Sequence, residues 1–342
     1  MRVEKAGTNV GKAYYDTQFH RGGRDARAEN TLYAFQYALE RGATTIECDM
    51  QVTLDGVLVL SHNPILNPDF TRDLDGSYVE ADSHIINRMT LDELRRFDVG
   101  HIRKGTYYYE QHGRTQIVAD ARIPTVRDLF ELVRDSGRDH VRMSIEAKAY
   151  ADPALGLVFE CRNSPRELLE PFDDLVREFG FEDRVLLQSF DWDFLTYMIR
   201  LNPRIRTVAL YCEEPASCEP ADHTLWLDRR KASPWLGGLN IHDFDDDPVR
   251  AAHALGIDYV SPYYEEVDEN VVDEAHALGM GVIPWTVNDP QAIGDLYDMG
   301  VDGIISDRPW VLREVLTAKG ASLAGESVVE APYHLEGDHR EV

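Results

Sequence analysis

Long apolar runs are missing from this chain. No stretch carries the roughly 20 consecutive apolar residues that a membrane-spanning helix needs, so no stable insertion into a bilayer is expected. The opening residues, MRVEKAGTNVGKAYYD, lack the apolar core and small-residue cleavage site of a secretory leader; a cytoplasmic location is the corresponding expectation. Positive charge is also short. Lys5, Lys12, Lys104, Lys148, Lys231 and Lys319 are all the lysines there are, and 61 acidic residues face 35 basic ones, for a formal net charge of −26. Nucleic acids and anionic membranes are held by basic patches, so general affinity for either is excluded. An acidic protein that acts on an anion must gather positive charge locally. Every lysine, arginine cluster or metal-ligand set at a prospective site therefore gains weight.

Cysteine is scarce and unpatterned. Cys48, Cys161, Cys212 and Cys218 show no C-x-x-C spacing, which removes thiolate metal sites, and without a secretory leader all four are expected to be free thiols. Neither a Gly-rich dinucleotide loop nor a P-loop occurs, so an open doubly wound sheet, the alternative architecture, lacks its usual nucleotide signature.

What is present is a repeating grammar. A helical run closes on a glycine and a short apolar strand follows: Gly42, Gly256, Gly279 and Gly300 each stand at such a junction. Asn30 or Thr31 can cap the first helix, whose Leu32, Phe35 and Leu39 would share one face. Strands are expected near residues 15, 45, 141, 185, 205, 258, 281 and 303, with 236–241 a candidate for one more. Repeated βα units imply a parallel sheet with helices outside, and this number fits a TIM (β/α)8 barrel. Residues 1–320 then form one domain. Residues 63–121 break the rhythm, rich in Asp, Asn, Pro and Gly and carrying Tyr107, Tyr108 and Tyr109; they are expected as an irregular insertion after the β2 hairpin, lying over the mouth. Residues 321–342 read as an acidic, mobile tail.

The most informative stretch is 45–62, TIECDMQVTLDGVLVLSH. In a strand, residues i and i+2 share a face, so Glu47 and Asp49 emerge side by side while Cys48 points the other way. Leu54-Asp55-Gly56 is a turn, and a returning arm brings His62 back to about the level of Glu47. Strand ends of a barrel converge on one mouth. In order they supply His20 and Arg21, Glu47 and Asp49, Glu146 and Lys148, Gln188 and Phe190, and Trp285. Glu47, Asp49 and Glu146 make a hard-oxygen set suited to Mg²⁺ or Ca²⁺. Arg21 and Lys148 offer fixed charge for a phosphate. His20 and His62 can act as acid and base, and Trp285 offers a flat apolar wall. Each has a plainer alternative: His20 as a hydrogen-bonded strand end, Glu146 with Lys148 as a structural ion pair, Gln188 on the backbone, Asn30 as a cap, Trp285 as packing. Their convergence on one mouth favours the functional set.

These residues carry a resemblance. His20-Arg21-Gly22, Glu29-Asn30-Thr31, Ile46-Glu47-Cys48-Asp49, Leu60-Ser61-His62, Ile145-Glu146-Ala147-Lys148, Gln188-Ser189-Phe190, Trp285-Thr286-Val287-Asn288 and the run from Gly303 to Pro309 together resemble the glycerophosphodiester phosphodiesterase family, in order and spacing, from about residue 14 to 318. The resemblance implies a TIM barrel, a divalent cation on Glu47, Asp49 and Glu146, an acid/base pair of His20 and His62, Arg21 and Lys148 on the phosphate, and Trp285 facing glycerol. It implies cleavage of a small glycerophosphodiester to glycerol 3-phosphate and an alcohol. Alternatives are a lysophospholipase D or sphingomyelinase D-like activity on lipids, and a non-catalytic phosphate-binding barrel. Asn63, Ala28 and Ala147 depart from the family's usual Asp, Pro and aliphatic residue; no reactive group is lost.

Overall fold

Backbone pairing builds the protein from eight short parallel strands, β1 (Asp16–Phe19), β2 (Thr45–Val52), β4 (Arg142–Ala147), β5 (Val185–Ser189), β6 (Arg206–Tyr211), β7 (Tyr259–Pro262), β8 (Gly281–Val282) and β9 (Gly303–Ser306). A ninth, β3 (Leu58–Leu60), returns antiparallel on β2. This computed structural model describes residues 14–81, 83–148, 163–212 and 235–325. The strand order is β8-β7-β6-β5-β4-β2-β1-β9. Asp302 N–H donates to Val282 O at 2.8 Å and Ile305 N–H to Pro284 O at 3.1 Å, so the last strand meets the β8 edge and the sheet nearly closes. The expected TIM barrel is what the chain forms.

Local chemistry explains the helices. Thr31 accepts from the Ala34 N–H and caps α1 (Leu32–Glu40). Thr125 with Asp128 and Ser164 with Glu167 form capping boxes at the starts of α3 (Val126–Asp135) and α4 (Pro165–Phe179). Gly180, Gly256 and Gly300 end their helices in the left-handed conformation. The main core lies between strands and helices, where Phe35, Leu39, Ile46, Cys48, Phe130 and Ile145 pack together. A smaller cluster of Leu186, Val208, Tyr259, Ile283 and Ile305 fills the barrel axis. Residues 63–121, which include α2 (Leu91–Leu94), build a separate apolar cluster containing Leu66, Val79, Phe97 and Val99.

Three expectations need correction. Leu32 is 40% exposed, because as the first residue of α1 it faces solvent; Ala34, Phe35, Tyr37, Ala38 and Leu39 form the buried face. Residues 236–241 are not a strand, since Gly237 (φ 57°) and Gly238 (φ 81°) turn the chain left-handed before a short 3-10 turn at Ile241–Phe244. Cys212 is disulfide-bonded, whereas Cys48 is free and buried; motif spacing and compartment do not reveal which thiols the fold brings together. Cys161, Cys218, Lys231 and the tail beyond residue 325 lie outside the described residues. No helix among the described residues is long and apolar enough to cross a membrane.

Candidate active site

Strand register assembles the site. In the parallel ladder Asp49 stands opposite Glu146, and Glu146 opposite Gln188. Phe19 pairs with Ile46 on one side and Ser306 on the other, so the next residue, His20, arrives beside Glu47 and Asp307. The β2–β3 hairpin pairs Met50 with Leu60, and Ser61 N–H reaches Asp49 O at 2.9 Å, which carries His62 to the same rim. Tight turning after β1 depends on glycine: a Cβ on Gly22 (φ 86°) would fall 2.7 Å from Ala34 Cβ.

Oxygens of Glu47, Asp49 and Glu146 lie within 4.8 Å of one another, and all three side chains are buried. Each is held by polar neighbours. Glu47 accepts from the Arg21 N–H at 2.8 Å and from Gln188 Nε2 at 2.6 Å. Asp49 accepts from Asn30 Nδ2 at 2.8 Å and its N–H donates to Asn30 Oδ1 at 3.1 Å. Lys148 Nζ sits 2.8 Å from Glu146 and 3.1 Å from Asp49. Burial, then the Asp49 charge, pushes Glu47 well above the usual carboxylate range. Burial likewise pushes Glu146 up to about 7 despite Lys148. Burial opposes ionisation of Asp49 too, but Lys148, His62 and Arg21 outweigh it and hold that carboxyl well below its usual range. The trio is thus short of positive charge. A small hard dication among these oxygens would supply what is missing, so the donor set fits Mg²⁺ or Ca²⁺.

Two imidazoles border the same cavity, which holds about 320 Å³. His20 Nδ1 lies 2.6 Å from Asp307 Oδ1. Burial opposes the Asp307 charge, but Arg24 and His20 hold the carboxyl well below its ordinary value. An ionised carboxylate only accepts, so Nδ1 of His20 carries the proton and Nε2 is left basic. His62 Nδ1 lies 2.7 Å from Asn63 Oδ1 and has the same arrangement. Burial lowers His20 to about 4 against the pull of Asp307. Burial, then Arg21 and Lys148, holds His62 well below its usual value.

Of the ten residues singled out from sequence, nine line this cavity and the tenth, Asp49, completes the carboxylate trio beneath it. Phe190 and Trp285 meet edge-to-face at 5.4 Å, with Tyr263 beyond, as an apolar wall. Gln188 bonds a carboxylate, not the backbone, and Asn30 holds Asp49 while Thr31 does the capping. Sequence reasoning gave no role to Arg24, Glu29, Tyr108, Asn288 or Asp307. Asp307 accepts from Arg24 Nε at 2.6 Å and from Asn288 Nδ2 at 2.7 Å. Glu29 takes both contacts of the Arg21 NH1, at 3.0 and 3.1 Å. Glu29, Asn288 and Asp307 lie inside the recurring motifs, which was the available signal; Tyr108 had only its place in an aromatic run.

The profile of the Glycerophosphoryl diester phosphodiesterase family matches residues 20–311. A glycerophosphodiester phosphodiesterase of Caldanaerobacter subterraneus is 27% identical over 301 residues, covering 88% of this chain and 97% of its own. A solved protein of Silicibacter pomeroyi, provisionally named for the same family, superposes with a TM-score of 0.78 at 27% identity over 93% of this chain and all (100%) of its own. An Oleispira antarctica phosphodiesterase, solved with sn-glycerol-3-phosphate as product, shares the fold at a TM-score of 0.61 and 20% identity, covering 89% of this chain and 97% of its own.

Proposed function

The chain belongs to the glycerophosphoryl diester phosphodiesterase family, and from that premise we propose that it hydrolyses a small glycerophosphodiester to sn-glycerol 3-phosphate and an alcohol with the help of a divalent cation. The observation that carries the reading is the meeting of Glu47, Asp49 and Glu146 oxygens with two Nε2-basic imidazoles at one cavity. The cation, held by those three carboxylates, would neutralise phosphate charge as it builds in the transition state. Arg21 and Lys148 border the cavity and supply fixed positive charge for the phosphate oxygens. Trp285, Phe190 and Tyr263 give the glycerol carbons an apolar face. Residues 63–121 contribute Asn63, Asn67, Tyr107, Tyr108 and His112 to the lining and act as a cover on the alcohol side.

The two histidines divide the proton work. His62, backed by a neutral amide, takes a proton from the attacking hydroxyl, whether water or the glycerol's own. His20, backed by ionised Asp307, better tolerates the imidazolium form: Nε2 takes a proton from solvent before attack and hands it to the departing alkoxide, while the proton gathered by His62 returns to solvent. The P–O bond to the alcohol breaks as the new P–O bond forms, and water is consumed overall. The test is a product assay on glycerophosphocholine, glycerophosphoethanolamine, glycerophosphoinositol and a lysophospholipid, with and without added Mg²⁺ or Ca²⁺. Release of glycerol 3-phosphate from a soluble diester supports the reading. Turnover of the lysolipid alone would move the substrate to lipids, and no turnover of any would reject it.

A further inference from the structure

Tyr108 lies in the 63–121 segment, outside the β/α scaffold, yet its hydroxyl reaches a carboxylate of the barrel. It donates to Glu29 Oε2 at 2.5 Å. The same carboxylate receives NH1 of Arg21 on both oxygens, and Arg21 Nε stands 3.3 Å from Asp49. Glu29 takes both hydrogen bonds of the Arg21 NH1, while Asp49 offers the guanidinium only the longer Nε contact, so Glu29 is its nearer anchor. Glu29 occupies a turn just before α1, not a helix or strand that would limit its rotamers.

The tyrosine is well anchored on its own side. Its ring packs at 5.0 Å on Phe70, which joins the segment's apolar cluster, and at 4.8 Å on His112. His112 in turn bonds Asp25 at 2.5 Å, and Arg308 Nε holds the other Asp25 oxygen at 2.7 Å. A rigid phenol therefore pins one oxygen of Glu29, and Glu29 pins Arg21. We propose that Tyr108 is a positioning residue: acting through Glu29, it sets the orientation of the Arg21 guanidinium, so that the 63–121 segment takes part in phosphate binding without touching the phosphate. The inference rests on the assignment of Arg21 to the phosphate made above.

A hydroxyl bond to an ionised carboxylate is charge-assisted and stronger than a neutral one. Without it Glu29 can swing, Arg21 moves with it, and the phosphate loses a preset partner. Tyr108→Phe removes the hydroxyl and keeps the ring packing, so its melting temperature should stay near wild type. Two readouts decide the matter: titration calorimetry of inorganic phosphate in the presence of Mg²⁺, and KM and kcat on glycerophosphocholine. The expected result is about tenfold weaker phosphate binding and a KM raised by a similar factor, with kcat changed far less. Glu29→Gln should weaken phosphate binding too, and the double variant should be no weaker than Glu29→Gln alone, because both act on one link. Phosphate affinity of Tyr108→Phe within twofold of wild type, or a full additional loss in the double variant, would overturn the proposal. Should wild type bind phosphate but cleave no diester, the functional reading fails while the calorimetry still judges Tyr108.

Discussion

The imidazoles of His20 and His62 each lean on a single oxygen, but one oxygen belongs to a carboxylate and the other to an amide. In the proposed mechanism that difference separates their roles, and the separation can be read out through the leaving group. His20→Ala and His62→Ala should each lower kcat on glycerophosphocholine by roughly 10²- to 10⁴-fold while the protein stays folded. On a p-nitrophenyl diester, whose leaving group needs no proton, His20→Ala should recover much of its rate and His62→Ala should not. Equal losses on both substrates would contradict the division of labour. His20 also ties stability to pH. Its folded value near 4 lies below the ordinary 6.5, so between those values the unfolded chain takes a proton that the folded chain refuses. Stability is therefore intact above about pH 6.5 and falls as pH drops toward 4, by on the order of 3 kcal/mol from this group. A His20→Gln variant should show a shallower drop in melting temperature between pH 7 and 4.5; parallel curves would refute the shift. At this scale the sequence was most legible where chemistry and strand ends coincide, as at Glu47, Asp49, Glu146 and the histidines. It was least legible at Arg24 and Tyr108, whose partners stand 283 and 79 residues away in the chain.

Among the elements, the turn after β1 and the β2–β3 hairpin do most to build the site. Gly22 lets the chain double back beneath α1, and any side chain there meets Ala34 Cβ at 2.7 Å in a backbone region that L residues avoid. Gly22→Ala should cost more than about 1 kcal/mol of stability and displace His20 and Arg21, so activity should fall even where most of the protein remains folded. Wild-type turnover and melting temperature in this variant would show that the turn tolerates bulk. Helix boundaries were readable because caps are local: Thr31, Gly256 and Gly300 state their roles within four residues. The fate of 236–241 was harder, since Leu236, Leu239 and Ile241 suggest a strand while the two glycines between them decide otherwise. Residues 63–121 follow no period. Their apolar cluster and the reach of Tyr108 to Glu29 depend on long-range packing that spacing cannot express.

For the whole molecule, closing a sheet of eight parallel strands places all the strand ends on one rim, and that rim explains why residues from 20 to 307 meet. The net charge of −26 sets the surroundings in which the site must hold an anionic diester. A dication among the carboxylates would reconcile the two, which predicts that exhaustive chelation abolishes turnover and that Mg²⁺ or Ca²⁺ restores it; an unchanged rate after chelation would remove the metal from the account. The most direct measurement is calorimetric titration of chelator-stripped protein with Mg²⁺ and Ca²⁺, comparing wild type with Glu146→Gln. One ion per chain in wild type, lost or weakened at least tenfold in the variant, is the predicted result; equal binding in the two, or none in either, would contradict it.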